Sequence, residues 1–252
     1  MRGMNFIEIE NLSYRYSDGT LGVKDINLTI REGEFVVLAG PNGSGKTTLL
    51  RHFNGLHLPH TGSIKVYGIP VSQDILRARQ IIGMVFQDAD SQIVGETVYD
   101  DVAFGPENLK LTHSEVRRRV SSALEAVGLS ESSEKRPHTL SGGEKRRLAI
   151  AGILAMKPKA IVFDETFSEL DYDGVKQVLT QMLSLHHQGH TIVVTTHDLE
   201  KVIAHANRLI IMNNGKVVRD GLPAELLRET EAFGVREPCA SRMGMEIEPW
   251  LI

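Results

Sequence analysis

The sequence has little cysteine and no long hydrophobic run, and each shortage excludes a class of protein. Only one of its 252 residues is cysteine, Cys239, which excludes an internal disulfide framework and a multi-cysteine zinc site. The longest apolar run, residues 148–156, has nine residues, whereas a membrane-spanning helix needs about 20. The first residues, MRGMNFIEIENL, lack the apolar stretch of a secretory signal. We therefore expect neither a transmembrane helix nor a signal peptide.

An excess of positive charge is also missing. The chain has 28 Lys and Arg against 32 Asp and Glu, a formal net charge of −4. Surfaces that bind nucleic acid or anionic membranes favour a basic excess, so we expect no nucleic-acid partner. Glycine, in contrast, is abundant: 23 residues, about 9% against a typical 7%. The positions of these glycines guide the rest of the reading.

Strand-like and helix-like patterns alternate along the chain and predict an α/β protein. Alternating apolar residues at 6–14 and 26–30 predict half-buried strands, and the run EFVVLA at 34–39 predicts a strand buried on both faces. Two further apolar runs, 160–163 and 191–195, flank a helical pattern. Strand, helix and strand in this order form a βαβ unit, which implies parallel strands.

The middle and the end of the chain have a different texture. Between residues 88 and 156 the apolar residues follow helical spacing, for example at Val116, Val120 and Leu124. This pattern predicts a helical lobe inserted between strands. From residue 230 onward there is little periodicity, and we expect a loosely structured tail.

A glycine-rich motif follows the buried strand at 34–39. The residues match G-x-x-x-x-G-K-[ST], a loop whose backbone amides cradle phosphates in front of a helix N-terminus. In such a loop the lysine reaches the β- and γ-phosphates, and the hydroxyl after it is offered to Mg²⁺. We predict that ATP is contacted by Gly40, Pro41, Asn42, Gly43, Ser44, Gly45, Lys46, Thr47 and Thr48.

An acidic pair ends the apolar strand AIVF. Asp164 and Glu165 follow residues 160–163 directly. In a phosphate-loop protein, an acidic residue at such a strand end supports Mg²⁺, and Asp164 fits that role. Glu165 is placed to polarise the attacking water.

A second helix start carries two glycines. Ser141, Gly142 and Gly143 stand in the sequence LSGGE before a helical stretch that runs to residue 156. Serine is a good N-cap, and a Ser-Gly-Gly helix start is suited to a phosphate. Spacing alone leaves simple capping open as the alternative.

Together these motifs resemble the ABC ATPase family of nucleotide-binding domains, and the family's other motifs follow in the expected order. Tyr16, in YRYSDG, lies where an aromatic ring stacks on adenine. Gln87, in GMVFQD, resembles the Q-loop glutamine that reaches Mg²⁺ and the attacking water. Residues 168–171 (SELD) resemble the D-loop, and His197, in TTHDLE, resembles the switch histidine that contacts the γ-phosphate. The resemblance covers about residues 5–228.

The resemblance implies an architecture. The fold would be an α/β P-loop NTPase with a mixed-sheet core, an N-terminal antiparallel β-subdomain and the helical subdomain inserted at about 88–156. Residues 229–252 would be a short C-terminal tail. Two such domains, as a homodimer or a heterodimer, would pack head to tail. The phosphate loop of one domain and the Ser141, Gly142 and Gly143 motif of the other would then clamp one ATP.

The resemblance also implies a mechanism. Lys46, loop amides and Mg²⁺ would neutralise charge on the γ-phosphoryl group, while Glu165 and His197 would position and activate the water. The sequence departs from the family pattern at two places beside the D-loop. Thr166-Phe167 replaces the usual Pro-Thr or Ala-Thr, and Tyr172 stands where proline is common. No catalytic group is lost, but coupling between the two sites of a dimer is put in question.

Residues 85–109 (VFQDADSQIVGETVYDDVAFGPENL) point to a subtype. They resemble the ATPases of energy-coupling-factor importers, which serve cobalt, nickel or vitamin uptake. The region after Gln87 is where such ATPases meet the coupling helices of integral membrane subunits. Gln92 would then report the ATP state to that partner. The chain would lie peripherally at the cytoplasmic face of the cell membrane.

Two other functions stay open at this point. The chain could drive another type of ABC transporter, for amino acids, metal chelates or lipids. It could also be a soluble ABC ATPase acting on DNA or ribosomes, although those usually carry two ATPase domains or long coiled coils, which do not fit in 252 residues.

Some further residues attract attention without deciding a function. The run HHQGH at 186–190 looks like a metal cluster, but a solvated helix end capped by glycine explains it better. Residues 117–119 (RRR) are read as a solvated face. Of residues 145–147 (KRR), one could sense nucleotide or partner. Cys239 is read as a free thiol, and Trp250 as an anchor for the tail.

Overall fold

The first layer of the structure is a small antiparallel sheet. The structure, a computed structural model, describes residues 5–168 and 170–249. The strands stand in the order β2-β1-β4-β5, with long strands whose apolar residues face one side. Their bounds are β1 Asn5–Arg15, β2 Leu21–Arg31, β4 Thr61–Val66 and β5 Ile69–Pro70.

The second layer is a six-stranded mixed sheet in the order β10-β9-β3-β8-β7-β6. Its strands are parallel except for the edge hairpin of β9 and β10. The predicted α/β fold, with a mixed-sheet core and an antiparallel N-terminal sheet, is confirmed. The strand bounds are β3 Phe35–Ala39, β6 Ile82–Val85, β7 Ala160–Asp164, β8 Thr191–Thr196, β9 Arg208–Asn213 and β10 Lys216–Gly221.

Helices cover the mixed sheet and form a separate lobe. Helices α3, α4 and α5 lie between β6 and β7 in the chain and pack on one another around Val102, Val120 and Leu148, all fully buried. No helix within the described residues has both the length and the apolarity needed to cross a membrane. The bounds are α1 Lys46–Phe53, α2 Ile75–Ile81, α3 Val98–Asn108, α4 His113–Ala126, α5 Gly142–Ala155, α6 Tyr172–His187, α7 Pro223–Leu226 and α8 Cys239–Arg242.

The parallel strands bring the motifs to one edge. The carboxyl ends of neighbouring parallel strands meet, and ligands bind in the crevice outside them. Ala39 on β3 pairs with Thr196 on β8, and Asp164 on β7 pairs with Thr195. The phosphate loop, the acidic pair and the segment that carries His197 therefore leave the sheet side by side.

The C-terminal residues are more ordered than the sequence indicates. Thr230 and Val235 are 0% and 1% exposed, and Val235 belongs to the main apolar core. The expectation of a loosely structured tail from residue 230 is therefore wrong for this part of the chain. Sequence periodicity missed it because the segment is built of a 3₁₀ turn, Leu227–Phe233, and the four-residue helix α8. Trp250, read as an anchor, lies outside the described residues.

Candidate active site

The phosphate loop joins β3 to α1. Gly45 adopts a φ of +98°, and a Cβ added there would lie 2.6 Å from the Gly22 carbonyl oxygen. Only glycine combines this conformation with so close a backbone approach. The helix α1 starts at the next residue, so its free amides and positive end point into the loop.

Lys46 is held at the floor of the site. Its side chain is 4% exposed, and Nζ donates to the carbonyl oxygens of Gly40 at 2.8 Å and Pro41 at 3.2 Å. Nζ also lies 3.3 Å from Oε1 of Glu165. A buried ammonium flanked by carbonyls and a carboxylate is fixed in direction, so it acts as a preorganised positive charge.

Asp164 and Thr47 meet at the end of β7. Asp164 is 3% exposed, and its Oδ1 accepts from the Thr47 hydroxyl at 3.1 Å and from the Thr195 hydroxyl at 2.7 Å. Thr195 also accepts from the Glu165 amide at 2.9 Å. A single threonine thus orients both acidic residues. Its role was missed because it depends on the β7–β8 register, which a linear sequence does not display.

Glu165 has a strained backbone and a precise setting. Its φ of +45° is left-handed, a conformation that costs a non-glycine residue free energy and is found often at functional sites. Its carbonyl accepts from the Ser168 hydroxyl at 2.7 Å. His197 Nδ1 lies 3.5 Å from Oε2 of Glu165. The predicted water-activating pair is therefore in contact.

Most of the predicted nucleotide-contacting residues surround one cavity of about 390 Å³. Tyr16 stands at its rim, and its hydroxyl lies 2.7 Å from Oγ1 of Thr48. Tyr14 packs edge-on against the Tyr16 ring at 5.2 Å, which fixes the plane of that ring. The lining residues are Tyr16, Thr20, Leu21, Gly22, Asn42, Gly43, Ser44, Gly45, Lys46, Thr47, Thr48, Gln87 and Glu165.

Gln87 follows β6 and lines the cavity. A buried arginine holds the backbone of Gln87 in place. Arg146, 4% exposed, donates to the carbonyl oxygens of Phe86 at 2.7 Å and Gln87 at 2.5 Å. Lys145 pairs with Asp90 at 2.6 Å. The helix that carries LSGGE is therefore tied to the Q-loop within this chain. The sequence marked residues 145–147 as candidates for sensing nucleotide or a partner. Only the packing shows that Arg146 is the one that faces inward.

The side-chain amide of Gln92 is hydrogen-bonded within its own chain. Its amide accepts from the Phe86 backbone at 3.1 Å and donates to the Met84 carbonyl at 3.1 Å. These bonds tie the loop after Gln87 to the backbone at the end of β6. The role predicted for Gln92 in reporting the ATP state to a membrane partner stays a prediction.

Ser141 caps helix α5. Its hydroxyl accepts from the Glu144 amide, and the Glu144 carboxylate accepts from the Ser141 amide at 2.8 Å. The bond from the Ser141 amide lowers the pKa of Glu144. Within the described residues, Ser141, Gly142 and Gly143 do not line the cavity that holds Lys46. The motif can therefore cap α5 in its own chain and still be available to a nucleotide on a second domain.

The two departures beside the D-loop have different settings. Thr166 and Phe167 are buried, and Phe167 joins the main core, so this Thr-Phe pair serves packing. Tyr172 is 62% exposed at the start of α6. Asp171 caps that helix by accepting from the Gly174 amide at 2.8 Å. Glu169 of the D-loop lies outside the described residues.

The histidine run at the end of α6 contacts nearby backbone and includes a left-handed glycine. His186 Nε2 lies 3.0 Å from the Gly33 carbonyl oxygen, and Gly189 has a left-handed φ of +92°. Across the described ranges, no group of three or more His, Cys, Asp or Glu side chains is placed to hold a metal ion. Helix capping explains the run.

Comparison with known proteins identifies the family. The family model described as "ABC transporter" matches residues 23–168. The energy-coupling factor transporter ATP-binding protein EcfA of Methanocaldococcus jannaschii is 44% identical, over 91% of this chain and 84% of that protein. The protein of the same name from Methanosarcina acetivorans is 45% identical, over 88% and 82%.

A solved structure supports the same assignment. The structure of cbiO1 from Clostridium perfringens, part of the ABC transporter complex cbiONQ, matches with a TM-score of 0.81 and 38% identity. The match covers 91% of this chain and 93% of that one. The chain therefore belongs to the ABC transporter ATP-binding family, as an ATP-binding and ATP-hydrolysing subunit of the energy-coupling-factor type.

Proposed function

We propose that this chain hydrolyses MgATP with the residues gathered at the carboxyl edge of the mixed sheet, and that two copies or two related domains close on the nucleotide. The observation that carries the proposal is the contact of Lys46 with Glu165, 3.3 Å apart, beside the Thr47–Asp164 pair. This arrangement joins a phosphate-binding cation, a base for water and an acidic metal support.

Phosphate recognition falls to the loop. The free amides at the start of α1 and the Lys46 ammonium face the cavity, where they offset the charge of the β- and γ-phosphates. The adenine ring would stack on Tyr16, whose hydroxyl is engaged with Thr48. Hydrogen bonding of the hydroxyl fixes the position of a ring proposed for stacking.

The oxygen atoms near Thr47 fit Mg²⁺. A hydroxyl and a carboxylate lie 3.1 Å apart, and the amide of Gln87 lines the same cavity. Mg²⁺ prefers oxygen ligands and is usually held by one or two carboxylates together with substrate phosphates. Thr47, Asp164 and Gln87 would hold the ion, which neutralises phosphate charge when bound.

Glu165 and His197 handle the water. The Glu165 carboxylate is 14% exposed and fixed through its backbone amide by Thr195, so it can accept a proton from a water aligned with the γ-phosphoryl group. The His197 imidazole, 3.5 Å from that carboxylate, would hold the γ-phosphate in line. Such preorganised side chains lower the activation barrier because they need to move little during the reaction.

The two glycines of LSGGE indicate a second domain. A Cβ added at Gly142 would meet nothing within 4 Å, and one added at Gly143 would meet only the Gly174 Cα at 3.9 Å. Packing within the chain therefore does not require glycine at either position. Glycine at these positions is needed only if another molecule approaches the backbone closely. ATP bound to a second domain would be such a molecule.

We expect Gly143→Ala to abolish cooperation between domains while leaving the fold intact. A methyl group at this helix start would obstruct phosphate, so ATPase turnover should fall at least about tenfold, because small misplacements cost large factors in rate. The thermal midpoint should not fall, since alanine is favoured over glycine in helices by about 1 kcal/mol. Phosphate release and calorimetry measure both quantities.

Gly152→Ala is the matched control for Gly143→Ala. Gly152 lies in the same helix, and an added Cβ there also meets nothing within 4 Å. The control should gain the same helix stability and keep wild-type turnover. If Gly143→Ala hydrolyses ATP as fast as Gly152→Ala does, the signature does not face a nucleotide.

The partner in the membrane would dock beside the Q-loop. A cavity of about 540 Å³ opens there, lined by residues that include Asp90, Ile93 and Glu96. Val94, next to Ile93, is 64% exposed. An exposed apolar residue adjacent in sequence to residues that line a cavity suits a helix from another protein. The partners would be integral membrane transporter subunits, and this chain would sit peripherally at the cytoplasmic face of the membrane.

Affinity purification from native membranes tests the membrane partner. The wild-type chain should bring down an integral membrane protein, and Val94→Asp should lose it while keeping basal ATPase activity. Leu76→Asp, at a residue 72% exposed on α2, is the matched control and should retain the partner. Recovery of ribosomes or DNA, or equal recovery by both variants, would contradict the proposal.

The cargo proposed is a cobalt or nickel ion or a vitamin. The support is the resemblance of residues 85–109 to energy-coupling-factor importers. Uptake of labelled cobalt and of vitamins into cells that carry the whole transporter, with and without this subunit, distinguishes these cargoes from amino acids or lipids. Uptake of an amino acid alone would overturn this assignment.

A further inference from the structure

The C-terminal segment, residues 227–242, contacts both the phosphate loop and the turn that follows His197. At one side Gly234 lies on the ring of Pro41 in the phosphate loop, where an added Cβ would be 3.5 Å from Cγ. At the other side the backbone amide of Cys239 donates to Oε2 of Glu200 at 2.9 Å. Glu200 lies three residues after His197. A segment expected to be an appendage thus touches two catalytic loops.

The turn between His197 and Glu200 is well ordered. Thr196 Oγ1 accepts from the Asp198 amide at 2.9 Å and donates to the Asp198 carbonyl at 2.8 Å. Leu199 and Val202 are 1% and 0% exposed and belong to the main core. A short turn with few degrees of freedom therefore joins Glu200 to the histidine.

The C-terminal segment is anchored to the same core. Val235 is 1% exposed, and it shares that core with Leu199 and Val202. Thr230, fully buried, donates to the Leu227 carbonyl at 2.8 Å. The amide at Cys239 is thus presented from a fixed support.

The imidazole of His197 needs such support. Its side chain is 56% exposed, so packing does little to hold the ring and its place depends on the backbone that carries it. We propose that Glu200 is a positioning residue for His197, and that the Cys239 amide holds Glu200 in place. The C-terminal segment then belongs to the hydrolytic apparatus. This inference rests on the role proposed for His197.

Replacement of Cys239 by proline or alanine tests the amide alone. Cys239 is the first residue of α8, a position that accepts proline. Pro238 already has a ψ of 144°, the extended conformation required before proline. Cys239→Pro removes the N–H group, whereas Cys239→Ala keeps it, and both lose the thiol. We expect kcat of Cys239→Pro to fall about threefold to tenfold, as for one solvent-exposed hydrogen bond.

Substitutions at Glu200 give the same test from the other side. Glu200→Ala should lower kcat as Cys239→Pro does, with the KM for ATP and the nucleotide Kd unchanged. Glu200→Gln keeps an acceptor oxygen and should restore most of the rate. Because both changes break one bond, the double variant Glu200→Ala/Cys239→Pro should be no slower than the slower single variant.

A His197→Ala background separates the possible results. If His197→Ala does not lower kcat, the role proposed for His197 is wrong. If it does, but Glu200→Ala and Cys239→Pro keep wild-type kcat, the positioning role is wrong. An equal fall of kcat in Cys239→Ala and Cys239→Pro would also overturn the positioning role. So would a fall of kcat that persists when Glu200→Ala or Cys239→Pro is added to His197→Ala. Thermal midpoints measured in parallel show whether a slow variant has merely unfolded.

Discussion

Glu165→Gln should bind ATP normally and turn it over about 10²- to 10⁴-fold more slowly than the wild type. The change keeps the size of the side chain and removes the carboxylate proposed to accept the proton, and general base catalysis supplies roughly that factor. Lys46, 3.3 Å from the lost charge, would still donate to the carbonyls of Gly40 and Pro41. The phosphate-binding surface is therefore retained.

Without hydrolysis the closed dimer should accumulate. In the proposed dimer, ATP favours the joined state and its cleavage releases the two halves, so a variant that binds but does not cleave would be trapped. Size-exclusion chromatography with light scattering in MgATP should show a dimer for Glu165→Gln and a smaller species without nucleotide. Wild-type rates of phosphate release by Glu165→Gln would show that another group is the base.

Asp164→Asn is the informative neighbour of Glu165→Gln. Asp164, which is proposed to hold Mg²⁺, accepts hydrogen bonds from the hydroxyls of Thr47 and Thr195. This variant should weaken the binding of MgATP as well as turnover, and it should not accumulate a dimer. If both variants behave alike, the division of labour between the two carboxylates is wrong.

Lys46→Ala should lose at least about 100-fold in kcat/KM for ATP. Removal of one preorganised charge from a transition-state clamp costs a factor of this order. The substitution also leaves Glu165 without its cation, which adds repulsion against the γ-phosphate. Nucleotide binding followed by fluorescence, together with phosphate release, measures the two contributions separately.

Lys65→Ala is the control for loss of a lysine. Lys65 lies on β4 and pairs with Glu10 at 3.7 Å at the surface. Surface pairs contribute little to stability, so this variant should behave as the wild type. Retained turnover in Lys46→Ala would remove the basis of the phosphate-loop assignment.

The local motifs were predicted well because their chemistry is contiguous. A phosphate loop needs a strand, a glycine-rich turn and a helix start in direct succession, and residues 35–53 have them. The acidic pair likewise follows its strand at once. Local patterns failed where elements are short or irregular. Helix α3 contains Gly105 and Pro106, both helix-disfavouring residues, and only the lobe as a whole was foreseen.

The sequence by itself determined the local framework of the candidate site: the strand ends and the helix start that carry the side chains proposed to bind phosphate and support metal. The tertiary structure decided which further residues serve them. Through strand register, Thr195 bonds the carboxylate of Asp164 and the backbone amide of Glu165. Arg146 faces inward from its helix, and Glu200 accepts from the amide of Cys239, 39 positions along the chain. These contacts join distant positions, and their geometry arises only when the sheet and the C-terminal segment pack together.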